Sequence, residues 1–216
     1  MSACTPSARI TRSLLGYGVL AGPLYVVVAL VQAALRPGFD LLHDDVSLLA
    51  NGAWGWVQVL NFVVTGACVA AFAVGAARAL AGRPAGTWAP RLLALYAVGL
   101  IAAGIFVADP MNGFPAGAPA GRPETISVHG LLHIAAAGVG FIGLVAACFV
   151  MARRFASERR RAWVAFSIIT GVVFLVAFAA IASGSSSAVV VVGFWAALLL
   201  AWSWMAAVAI DLYRQA

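Results

Sequence analysis

Chemistry in this chain is confined to few positions: 3 histidines and 7 acidic residues in 216. His129 and His133, in Ser127-Val128-His129-Gly130-Leu131-Leu132-His133, are four apart, so on a helix both imidazoles share one face a turn apart. Two such imidazoles can share one metal ion, zinc being the natural candidate. His43, Asp44, Asp45 or Asp109 can supply a third ligand, and a bound water then becomes a nucleophile at neutral pH. In a hydrolytic site of that kind Asp109 completes or orients the centre, and Ser47 or Asn61 stabilises developing charge. The other reading is non-catalytic: the histidines hydrogen-bond Asp109 or the first loop and hold helix ends together, or they face a bound ligand. The pair lacks the neighbouring glutamate of helix-borne metallohydrolase motifs, so its spacing alone leaves both readings open. A haem is disfavoured, because two histidines on one helix face cannot be opposite axial ligands.

The elements that must position these residues follow from composition. Hydrophobic residues make up 64% of the chain and charged residues 9%, with a mean hydropathy of +1.02, which excludes a soluble globular protein. Six apolar runs are each near the length that crosses a bilayer: 13–35, 56–80, 91–108, 128–152, 162–183 and 188–210. The first is too long for the apolar core of a signal peptide. The expected fold is all-α, a single membrane domain over 1–216 built as a bundle of six transmembrane helices in contact with membrane lipids. The short Gly184-Ser185-Ser186-Ser187 turn makes the last two spans antiparallel neighbours.

Arginine sets the orientation. All 13 basic residues are Arg, and 11 of them fall in the two tails and in the second and fourth loops. Only Arg36 and Arg122 lie on the other side, beside Asp40, Asp44, Asp45, Asp109 and Glu124. Both termini are therefore expected in the cytoplasm, with the protein in the plasma membrane. The same rule accounts for the basic run Arg153 to Arg161, so no nucleic-acid partner is inferred from it. Cys4, Cys68 and Cys148 have no paired spacing and read as tail or packing residues.

All three histidines and five of the seven acids thus fall at the expected outer ends of the spans. Gln58, Asn61 and Thr65 form one polar stripe on the second span, with Gln32 at the same depth on the first. Polar groups in a membrane face the bundle interior or a water-filled cavity, which implies a polar pocket open to the outside, built from the first and third loops and the outer ends of spans two to four. Asp44 and Asp45 read as solvated acids or as a cap before a short helix at Leu48. The Pro- and Gly-rich third loop reads as a lid or a plain connector. Gly18 with Gly22, and Gly99, Gly104, Gly138, Gly140 and Gly143, fit close helix packing.

Several of these segments together carry a resemblance. Gly38-Phe39-Asp40 with Val46-Ser47-Leu48-Leu49, Gly55-Trp56-Val57-Gln58 with Asn61-Phe62, Gly104-Ile105-Phe106-Val107-Ala108-Asp109-Pro110 and the Ser127 to His133 segment resemble the bacterial multi-span membrane family catalogued as domain of unknown function nine-nine-eight, especially its actinobacterial branch. The resemblance covers nearly the whole chain and implies a six-helix membrane protein, with no activity attached. His43-Asp44-Asp45 lies where members vary, so it carries no role to His43. A looser similarity of ingredients, Ser47, Asp109, His129, His133 and His43, links the chain to the zinc membrane hydrolases of the alkaline ceramidase superfamily, which have seven spans.

Overall fold

The computed structural model describes residues 6–216. It holds six helices, α1 Pro6–Leu35, α2 Gly55–Ala79, α3 Trp88–Ile105, α4 Val128–Ser157, α5 Arg161–Ala182 and α6 Ala188–Gln215, with one 3-10 turn, Val46–Ala50, between α1 and α2. All six helices are long and apolar enough to cross a membrane. Among the described residues there is no strand, only an isolated bridge between Met111 and Phe114. α1 and α4 have 30 residues each and α3 only 18. Helices this apolar form because every backbone N–H and C=O is satisfied within the segment, leaving nothing for lipid to solvate. Large apolar side chains such as Leu20, Val98, Ile142 and Val176 are more than half exposed around the bundle, as lipid-facing residues are.

Each helix packs on its neighbours in sequence, and α6 closes back on α1, so the six form a ring. Small residues set the seams, since lipid supplies no hydrophobic drive between helices and backbones must approach closely instead. Gly18 lies against Phe72 and Ala209, and Gly22 against Trp202. On the α3–α4 seam, a Cβ at Gly99 would sit 2.6 Å from the Cα of Gly140, and one at Gly143 would sit 2.9 Å from the Leu92 carbonyl oxygen. Gly138 does not share this role, because a Cβ there would come no closer than 3.5 Å to Phe178.

The α1–α2 seam is polar. Gln32 Nε2 donates to Gln58 Oε1 at 2.7 Å, Asn61 Nδ2 donates to Gln58 Oε1 and to the Tyr25 carbonyl, and Thr65 Oγ1 donates to Asn61 Oδ1. All four side chains are buried.

Both helix termini of the chain lie at one face. Arg78, at the end of α2, donates to Ser7 and Thr11 on α1, and Arg83 donates to Gln215 on α6. Two arginines of the basic run are paired there. Arg154, almost fully buried, meets Glu158 at 2.9 Å, and Arg160 grips Asp211 with two bonds of 2.7 and 2.8 Å. Cys148 is a buried free thiol and Cys68 a partly buried one, whereas Cys4 lies outside the described residues.

Candidate functional site

The opposite face is capped by loops that are tied to one another. Arg36 leaves the end of α1 and donates to the carbonyl oxygens of Leu49 and Asn51, closing off the 3-10 turn. Its guanidinium also stacks 4.7 Å from the centre of the Phe114 ring, which is fully buried in the third loop and meets Phe39 edge-on. Asn112 uses one amide nitrogen to reach the His43 carbonyl, Asp44 Oδ1 and Ser186 Oγ, joining the first loop, the third loop and the α5–α6 turn. Arg122 donates to the carbonyls of Ser183 and Gly184 in that same turn. The third loop is therefore a latched lid rather than a free connector. Arg36 and Arg122, the two arginines on this side, both act as clamps on backbone carbonyls.

Beneath the lid, inside the ring, lies a cavity of about 440 Å³. Its depth is apolar and aromatic, walled by Tyr25, Phe62, Tyr96, Phe141, Phe194 and Trp202. Trp202 packs between the two tyrosines, with ring centres 5.8 Å from each. Its upper end is polar, reaching Asp45, Ser47, Asp109, Arg122, Glu124 and His133. Such a space has the size and the mostly apolar lining of small-molecule sites.

The candidate residues divide within this geometry. Ser47, Asp109 and His133 all line the cavity. Asp109 Oδ2 accepts from the Ser127 backbone N–H at 2.9 Å, so its charge rests on the N-terminus of α4, where the helix dipole favours an anion. Ser127 completes that end by accepting from the Gly130 N–H. His133 Nδ1 donates to the carbonyls of Ala103 and Phe106 at 2.9 and 2.8 Å. These belong to the last turn of α3 and its C-cap, whose carbonyls have no partner within the helix. His133 is thus the cap that ends α3.

His129, one turn earlier, is exposed and meets Phe106 edge-on. His43 is exposed in the first loop and bonds Asp40 at 2.7 Å, an interaction that holds the Asp40 carboxyl below its ordinary range. The three imidazoles therefore have separate partners, and among the described residues no group of three or more His, Cys, Asp and Glu side chains is placed to hold a metal ion. Asn61 stands apart from the cavity lining, in the α1–α2 polar seam. The expectation that the α2 stripe faces the pocket is corrected: its side chains pair with Gln32, with the Tyr25 carbonyl on α1 and with one another. The sequence reading also placed the pocket at α2 to α4 and missed its floor on α1 and α6. Tyr25 on α1 and Trp202 on α6 meet there because the ring closes.

Asp44 and Asp45 are not equivalent. Asp44 is buried and both its oxygens are occupied, one by the Asp40 N–H and one by Asn112. Asp45 occupies the N-cap position of the 3-10 turn without a side-chain cap bond. Burial, and secondarily the charge of Asp44, push its carboxyl up to about 6. A raised carboxyl binds its proton more tightly folded than unfolded, so stability should fall as pH rises from about 4 to about 6 and stay reduced above. Asp45→Asn is accordingly expected to raise the melting temperature at pH 7.5, by a free energy on the order of 3 kcal/mol at most, and not at pH 4. An equal gain at both pH values would show that the effect is not the charge.

The fold and site define a polytopic α-helical membrane protein, a ring of six helices around a capped internal cavity. The family model described as Protein of unknown function (DUF998) matches residues 19–211, and the chain belongs to that family. No curated protein and no solved structure matches it.

Proposed function

We propose that the protein is a plasma-membrane binding protein for a small amphiphile, whose apolar body enters the aromatic chamber while its polar end stays at the mouth. The observation that carries this reading is the cavity of about 440 Å³ enclosed by the ring, apolar in depth and polar at one end. Binding, an accessory role and passage of a small solute are all forms of the same reading. The capped face is placed outside and the termini in the cytoplasm, because 11 of the 13 arginines gather at the terminal face; a fluorescent protein fused to the C-terminus should mature and fluoresce in cells, and a dark fusion would reverse the orientation. A hydrolytic form of the reading would draw on Ser47, Asp109 and His133, which share the cavity lining.

The test uses the neutral fluorescent probe N-phenyl-1-naphthylamine with the purified protein in lipid nanodiscs. Saturable binding of one probe per chain, above that of empty discs, is expected. Ala137 lines the chamber on α4, and Ala137→Trp should fill it and weaken binding by about ten-fold or more. Binding no different from empty discs, or untouched by Ala137→Trp in a folded variant, would overturn the reading.

A further inference from the structure

We infer that the cavity selects amphiphiles whose polar end is cationic, an inference that rests on the binding reading above and names its ligand class. Three carboxylates, Asp45, Asp109 and Glu124, line the polar end against one guanidinium, Arg122. Arg122 is turned to the α5–α6 turn, where it donates to the carbonyls of Ser183 and Gly184. Asp109 is likewise engaged, by the N-terminus of α4. The positive end of that helix is therefore already met and offers no free anion site.

Asp45 is different. It sits on the cavity lining, partly buried, at a cap position where its side chain makes no cap bond. A partly buried carboxylate without a counter-charge is costly, and a ligand cation at hydrogen-bond range removes that cost. The chamber below adds the second half of the recognition. Tyr25, Tyr96 and Trp202 present aromatic rings in one cluster, which receives the apolar or aromatic body of the ligand. An anionic head would meet the same three carboxylates with the opposite sign. The complementary ligand carries an ammonium or similar cation on an apolar or aromatic body.

Three eight-carbon amphiphiles of matched length separate charge from fit: octyltrimethylammonium, octyldimethylamine oxide and octyl sulfate. Each competes with N-phenyl-1-naphthylamine for the full chain in nanodiscs of zwitterionic lipid, with empty discs subtracted. The ammonium is expected to compete about ten-fold more strongly than the amine oxide, and the sulfate least. In the double variant Asp45→Asn, Glu124→Gln, checked for an intact melting transition, the ratio of ammonium to amine oxide should fall toward one. Equal competition by all three, or a stronger sulfate, would overturn the charge selection while the cavity reading stands. A naphthylamine signal that none of the three displaces would overturn both.

Discussion

Gly99→Ala is expected to leave little correctly folded protein, with the monodisperse peak lost from detergent size exclusion and the melting temperature sharply lowered. The added Cβ would lie 2.6 Å from the Cα of Gly140 and 2.8 Å from the carbonyl oxygen of Ala136. These are backbone atoms, so no side chain can rotate away and α3 and α4 must separate along the whole seam. Overpacking in a core costs about 1–3 kcal/mol even where side chains can yield, and a backbone clash belongs at or above the top of that range. Gly138→Ala, whose Cβ would stand 3.5 Å from Phe178, and Gly193→Ala, which meets nothing within 4 Å, serve as controls. A Gly99→Ala protein that melts with these two would refute the close seam.

The second large effect is expected at Gly130, on the first turn of α4. A Cβ there would overlap Asp109 Oδ2, so Gly130→Ala should drive the carboxylate off the helix N-terminus. Loss of that bond and of its interaction with the dipole should cost about 2–4 kcal/mol with the strain included. The diagnostic is non-additivity. Asp109→Ala alone should be destabilising, yet Gly130→Ala should cost far less when placed on it, because the clashing group is gone. Additive melting shifts would mean that the two residues do not meet.

The number of helices was legible because hydropathy in a membrane protein answers one physical demand, that each span satisfy its own backbone and face lipid. α4 begins at Val128, where the apolar run begins, but extends to Ser157, with Arg154 and the C-cap Glu158 paired at its end. The glycine seam was legible at Gly99, Gly140 and Gly143 as a small-residue pattern, although Gly138 in the same stretch proved to be spaced from its neighbour. The site was legible by half. Ser47, Asp109 and His133 were placed in one pocket because polar side chains at one depth have few destinations. Asn61 and the α2 stripe are directed to the pocket by the sequence pattern but face α1 instead, since a helical period shows that a face is polar without showing which neighbour it meets. His133 and His129 share a spacing but not an environment, and only the position where α3 ends makes one a buried cap and leaves the other exposed. The aromatic floor was invisible, because Tyr25 and Trp202 are 177 positions apart and meet only when α6 closes on α1.

The short third helix also has a consequence for where the protein can reside. Its 18 residues rise only about 27 Å, against a hydrocarbon core of about 30 Å, while α1 and α4 have length to spare. Long helices fit a bilayer thinner than their own length by tilting and a thicker one by standing upright, but a short one can only draw the lipid inward. α3 is held at one end by the His133 cap and along its length by backbone contact with α4, so it has little freedom to adjust. A helix of that length matches a bilayer no thicker than itself and sets the smallest hydrophobic thickness among the six spans.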